Sequence, residues 1–149
     1  VQYLHATTDN NLQVGNDYIR SAGKIAVKSP KVTVAVGLAY DDGSLFGAFN
    51  MNYVSKQYST FMDDESIPSF ETFNLNFGYR FHNYMYLKHP QIQLNLMNIG
   101  NNGFLSGVSG LSTNAKATKG VYGSTIAGSS PTYFVGGGFA GVLSFTTGF

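Results

Sequence analysis

The stretch "ETFNLNFGYRF" (Glu71–Phe81) alternates without a break: Phe73, Leu75, Phe77, Tyr79 and Phe81 stand on odd positions, with Thr72, Asn74, Asn76, Gly78 and Arg80 between them. Successive side chains of a strand point to opposite faces, so this period of two predicts a β-strand with one apolar and one polar face. The pattern recurs outward in both directions. In "KVTVAVGLAY" (Lys31–Tyr40) the residues Val32, Val34, Val36, Leu38 and Tyr40 alternate with Thr33, Ala35, Gly37 and Ala39. "SLFGAFNMNYVSKQY" (Ser44–Tyr58) sets Leu45, Phe49, Met51 and Tyr53 against Ala48, Asn50 and Asn52, and "QIQLNLMNIG" (Gln91–Gly100) sets Ile92, Leu94 and Leu96 against Gln91, Gln93 and Asn95. The closing stretch puts Tyr133, Val135, Phe139, Leu143, Phe145 and Phe149 on odd positions and Gly136, Gly138, Ala140, Ser144, Thr146 and Gly148 on even ones. The opening "VQYLHATT" (Val1–Thr8) completes six predicted strands.

Composition says what surrounds these strands. The chain has 149 residues, 43% hydrophobic and only 11% charged, against roughly 25% charged for an ordinary globular domain. Arg80 alone lies well inside a predicted strand, with Lys56 at a strand end; the other charges fall in connections. Hydrocarbon against one face would enforce that distribution, since a Lys or Arg on the lipid side at mid-depth costs about 2–4 kcal/mol. The polar faces carry Asn, Gln, Thr, Ser and Gly, whereas a soluble sheet normally shows water a charged surface. Tyr40, Tyr53, Tyr58, Tyr79, Phe81, Tyr133 and Phe149 near strand ends fit interfacial aromatic girdles. A formal net charge of +1 lacks the basic stripe of a nucleic-acid binder. The absence of Cys excludes disulfides and thiolate metal sites. No apolar run reaches about 18 residues, so no transmembrane helix is predicted.

The connections alternate in length. "DDG" (Asp41–Gly43) is a tight hairpin turn and the link over 82–90 is intermediate, whereas the links over 9–30, 58–71 and 100–131 are long. Short turns on one side and long, structureless loops on the other suit an up-and-down barrel in an outer membrane. The expected fold is therefore all-β: a transmembrane antiparallel up-and-down β-barrel. Six strands cannot close one, because single-chain bacterial barrels begin at about eight. The chain is therefore expected to be either a fragment of a longer barrel or one part of an oligomeric one; the mid-strand opening at Val1 favours the fragment, with Phe149 expected to close the last strand. Two rival readings stay open: a passive outer-membrane porin, and a soluble β-barrel carrier of a small apolar molecule.

Four stretches, in order, resemble the C-terminal part of a TonB-dependent outer-membrane receptor of the siderophore type. "GKIAVKSPKVTVAVGLAYDDG" (Gly23–Gly43) resembles a loop ending in Pro30, a strand, a Tyr and a tight turn. "NMNYVSKQYSTFMDDESIPSFETFNLNFGYRF" (Asn50–Phe81) resembles the strand pair in which Tyr53, Val54, Lys56 and Tyr58 precede an external loop, Pro68-Ser69-Phe70 and a strand ending in "GYRF". "QIQLNLMNIGNN" resembles the penultimate strand with its Asn98-Ile99 motif, and the final strand resembles the C-terminal assembly signal, carried by Phe149, Phe145 and Leu143. The resemblance implies that residues 1–149 are the last six or so strands of a barrel of about 22, without the plug and the earlier strands. It implies uptake of a ferric siderophore or similar scarce chelate. The implied partners are the TonB complex, reached through the missing N-terminal region, the outer-membrane assembly machinery and the lipid bilayer. The location is the bacterial outer membrane, and no nucleic acid, cofactor or enzymatic activity is implied.

Arg80, Asn74 and Asn76 are expected to face the lumen, Arg80 more as a structural pairing than as a ligand contact. "GGG" (Gly136–Gly138) is followed by no Lys-Ser/Thr and starts no helix, so it is no phosphate loop. Asp63, Asp64 and Glu65 lack the spaced ligands and Gly of a calcium loop and read as a solvated external loop. His5, His82 and His89 have no metal-ligand spacing. No Ser/His/Asp set has a local signature. In the longest loop, "SGVSGLSTNAKATKGVYGSTIAGSSP" (Ser106–Pro131), small residues and Tyr122 suggest an adaptable segment that could touch a ligand.

Overall fold

The structure is a computed structural model that describes residues 1–83 and 86–148. Its regular elements are all strands. In chain order they are β1 (Gln2–Tyr3), β2 (Leu12–Val14), β3 (Asp17–Ile19), β4 (Val32–Asp41), β5 (Leu45–Val54), β6 (Gln57–Tyr58) and β7 (Ser66–Ile67). Then follow β8 (Phe70–Arg80), β9 (Lys88–Met97), β10 (Leu105–Gly110), β11 (Thr118–Lys119), β12 (Thr125–Ile126), β13 (Thr132–Val135) and β14 (Ala140–Gly148). The chain divides into two compact units: Val1–Thr33 with Val54–Phe70 and Phe104–Gly136, and Val34–Tyr53 with Glu71–Gly103 and Gly137–Phe149.

The second unit is built from the long strands, which lie in the order β4-β5-β8-β9-β14. Register decides which residues share a face, because a slip of one residue would exchange the two faces of a strand. Leu75, Phe77 and Tyr79 of β8 stand opposite Leu96, Leu94 and Ile92 of β9, which in turn stand opposite Gly141, Leu143 and Phe145 of β14. On the other face Asn76, Gly78 and Arg80 meet Asn95, Gln93 and Gln91, and these meet Val142, Ser144 and Thr146. The antiparallel ladders thus gather the alternating sequence into one apolar and one polar face. Phe49 and Phe73 stack with centroids 6.2 Å apart, and Tyr79 and Phe81 meet edge to face at 4.9 Å.

Two short connections are fixed locally. At the β4-β5 hairpin Gly43 takes φ 95°, where a side chain would be strained. Asp42 Oδ1 accepts the N–H groups of Ser44 and Leu45 at 2.9 and 2.7 Å, which closes the turn. After β9, Asn98 takes φ 46°. Its side-chain amide donates to the carbonyls of Asn102 and Gly137, both at 2.9 Å, and its Oδ1 accepts from Asn102 N–H at 3.2 Å. The Asn of the Asn98-Ile99 motif therefore ties the turn to the residues that lead into β14.

The first unit corrects the expectation of structureless long connections. It holds antiparallel hairpins β2-β3, β6-β7 and β11-β12, and β10 pairs with β13. Its core is Ile19, Ile67, Val108 and Ile126, drawn from three separate chain segments. Burying such side chains contributes about 1.5–3 kcal/mol each, which sets these segments apart from free loops.

Two predicted strands also change. The closing stretch is not one strand from Tyr133: Thr132–Val135 pairs with β10 in the first unit, and β14 begins only at Ala140. The intervening glycines carry no side chains to continue a ladder's packing, and the pairing partner changes across them. The opening stretch contributes only Gln2 and Tyr3, opposite Thr33 and Val32.

Candidate functional site

The first unit is held together by carboxylates that accept backbone N–H groups from distant segments. Asp17, 4% exposed, accepts from the N–H of Tyr18 at 2.7 Å, Tyr122 at 2.9 Å and Ser124 at 3.1 Å, and from the Ser124 hydroxyl. The Ser124 hydroxyl, followed by the Tyr122 N–H, holds the Asp17 pKa down at about 2, because each bond stabilises the charged form. Gly120 packs against this carboxylate so closely that a Cβ there would lie 2.2 Å from Oδ2. The Tyr18 and Tyr122 rings meet edge to face at 5.9 Å, and Tyr122 itself is 74% exposed. The candidate ligand-contact residue is thus an exposed ring on a clamped backbone.

Asp63, Asp64 and Glu65 do not form the solvated loop expected of them. Asp64 accepts from Ala115 N–H with both oxygens at 3.0 and 2.9 Å, from Lys116 N–H at 2.9 Å and from the Thr60 hydroxyl at 2.6 Å. Burial alone would raise its pKa; the Ala115 N–H, the Thr60 hydroxyl and the Lys116 N–H outweigh it and leave the pKa lowered. Asp63 accepts from Ile25 N–H at 3.1 Å. Glu65 accepts the Tyr133 hydroxyl at 2.6 Å, and that hydroxyl also lies 3.1 Å from Ser59 Oγ. Three consecutive acids therefore fasten three different places. No group of three His, Cys, Asp or Glu side chains suited to a metal occurs among the described residues.

In the second unit Arg80 stands at the end of β8, not well inside it. Its guanidinium takes the Asp41 carboxylate in a two-pronged pair, Nη1 to Oδ1 at 2.7 Å and Nη2 to Oδ2 at 2.9 Å. It also lies over the Phe46 ring, 4.2 Å from the centroid. A Cβ on Gly78 would come within 2.5 Å of that ring and of the Ile92 carbonyl, so glycine makes room for Phe46 on the polar face. Phe46 and Val142 are apolar exceptions on that face which alternation alone did not bring out. Asn74, Asn76 and Arg80 share it: Asn76 faces Asn95 across the ladder, whereas Asn74 Oδ1 accepts Asn98 N–H at 3.0 Å.

Leu143 and Phe145 lie on the apolar face, 67% and 62% exposed. Phe149, the third residue of the expected assembly signal, lies outside the described residues. Comparison with protein-family models, with curated proteins and with solved structures returned no match for this chain.

Proposed function

We propose that the chain forms a sector of a transmembrane antiparallel β-barrel in a bacterial outer membrane. The whole protein is then a TonB-dependent receptor that takes up a ferric siderophore or a similar scarce chelate. The observation that carries the barrel is the two-faced sheet. Val36, Leu38, Phe77, Ile92, Leu143 and Phe145 leave their apolar side chains exposed, and the opposite face is lined mainly by Asn, Gln, Ser, Thr and Gly. Hydrocarbon outside and a wet lumen inside would satisfy both.

Strand length supports the same reading. The long strands have 10, 10, 11, 10 and 9 residues, and a tilted strand needs about 9–11 to cross a bilayer. They are fewer than the roughly eight that close the smallest single-chain barrel, so the sheet would be completed by further strands. The receptor type and its cargo rest on the sequence motifs around Pro30, Tyr53, Pro68 and Asn98.

Uptake of radiolabelled ferric chelates by iron-starved cells with and without the gene tests the transport reading. Uptake lost on deleting either the gene or TonB supports it. Uptake of small solutes that depends on the gene and ignores TonB replaces it with a passive pore. Removing residues 107–130 in the same cells is expected to weaken uptake, and unchanged uptake would exclude a role for the longest loop.

A further inference from the structure

We propose that the first unit carries a binding site for an organic anion of the phosphate-ester class, in a cleft between the 25–31 segment and the residues that follow β5. The cleft holds about 260 Å³ and is lined by Ile25, Ser29, Lys31, Ser55, Lys56 and Tyr58. The charged residues among its lining are of one sign, Lys31 and Lys56. The segment from Lys24 to Lys31 contains three lysines and no acid, and the only ion pair among the described residues is that of Arg80 with Asp41. Lys31 and Lys56 therefore line the cleft with no carboxylate within salt-bridge distance among the described residues.

The frame around the two lysines is fixed. Ser55 N–H donates to Val32 carbonyl at 2.9 Å, Val32 N–H donates to Ser55 Oγ at 3.0 Å, and Lys28 N–H donates to Tyr58 carbonyl at 3.0 Å. Ser55 Oγ accepts in this frame, and its own proton has no acceptor among the described residues. Ser55, Lys31 and Lys56 line the same cleft, and a hydroxyl with two ammonium groups is a donor set that suits phosphate oxygens. Lys56 Nζ lies 4.7 Å from the centroid of the Tyr58 ring, which steadies a flexible side chain. Ile25 and the Tyr58 ring give the cleft an apolar wall. That wall favours an anion carried on an organic body over inorganic phosphate. The carboxylate bonded to a lining residue is that of Asp63, whose Oδ2 accepts the Ile25 backbone N–H while its Oδ1 is buried without a hydrogen-bond partner among the described residues.

The site does not depend on the transport reading and is tested separately. Phenyl phosphate, inorganic phosphate and dodecylmaltoside micelles doped with phosphatidylglycerol are titrated into the full chain in dodecylmaltoside, with binding followed by calorimetry. Phenyl phosphate is expected to bind saturably and more tightly than inorganic phosphate. Lys31→Gln combined with Lys56→Gln weakens it by at least about tenfold, the loss of a charge-assisted hydrogen bond. Lys88→Gln, which lowers the net charge at a residue that does not line the cleft, leaves it unchanged. Displacement of phenyl phosphate by the doped micelles supports the site with a lipid headgroup as its source, and saturation without displacement supports it with a soluble ester. No saturable binding, or equal weakening by Lys88→Gln, overturns the proposal. An unchanged thermal unfolding profile of the double variant distinguishes lost binding from lost folding.

Discussion

The Asp17 carboxylate accepts the backbone N–H of Tyr122 at 2.9 Å across 105 residues of sequence. The same carboxylate takes the Ser124 N–H and hydroxyl, so one side chain of the β2-β3 hairpin fixes the β11-β12 turn. An amide in its place keeps one acceptor oxygen and turns two N–H donors toward other donors. Asp17→Asn is therefore expected to speed hydrogen exchange at the Tyr122 and Ser124 amides by at least about tenfold, as bonds to a charged acceptor are lost. Exchange rates equal to those of the parent chain would remove Asp17 from this role.

The pH dependence of this clamp has a definite sign. The Asp17 pKa is lowered from 3.8 to about 2 in the fold, so the folded form binds the proton less tightly than the unfolded chain. Its stabilisation is complete above the ordinary value and is lost as pH falls through about 2. The Tyr122 amide proton, followed by NMR on acidification, is expected to titrate with a midpoint near 2. A midpoint at 3.8 or above would mean that the Ser124 and Tyr122 donors do not hold the charged form.

Local alternation carried the sheet. Phe77 and Asn76 declare their faces within a few residues, and the register of β8 on β9 follows from matching like with like. What escaped is non-local. Phe46 stands on the polar face because Gly78, on another strand, leaves it space; neither residue announces the other. Asp63, Asp64 and Glu65 look like solvated loop acids, and Asp17 carries no signal of its own, because their partners are mostly backbone N–H groups, which every residue possesses. Lys31 and Lys56 likewise come to line one cleft only because their neighbours Val32 and Ser55 are bonded across the fold. The glycines after Val135 could be read as continuing a strand because period two tolerates small residues on one face, although there the chain changes pairing partner.

Asn98 separates backbone conformation from hydrogen bonding. It is 4% exposed and holds φ 46° while bonding Asn102 and Gly137. Asn98→Gly keeps the left-handed conformation and removes the bonds to the half-buried Asn102 and the exposed Gly137, at a net cost of about 0.5–1.5 kcal/mol for each bond lost. Asn98→Ala adds backbone strain to the same loss and is expected to be the more destabilising by about 1 kcal/mol. Urea unfolding midpoints in detergent check both. A glycine variant as stable as the parent would show that the side-chain bonds contribute nothing to the turn.

The strongest test of the membrane reading compares neighbours on one strand. Phe77 and Asn76 are adjacent, have cross-strand partners Leu94 and Asn95, and differ in the face they occupy. Were both faces to meet water, arginine at position 77 would remove an exposed apolar ring and cost little. With lipid against the Phe77 face, Phe77→Arg is expected to destabilise the assembled barrel by about 2–4 kcal/mol at mid-depth, whereas Asn76→Arg toward a wet lumen costs about 1 kcal/mol or less. The measurement is the urea midpoint of the protein folded into phosphatidylcholine vesicles, read together with the fraction that migrates as folded without boiling. Equal losses for the two variants, or a greater loss for Asn76→Arg, would reverse or abolish the assignment of faces on which the proposed function rests.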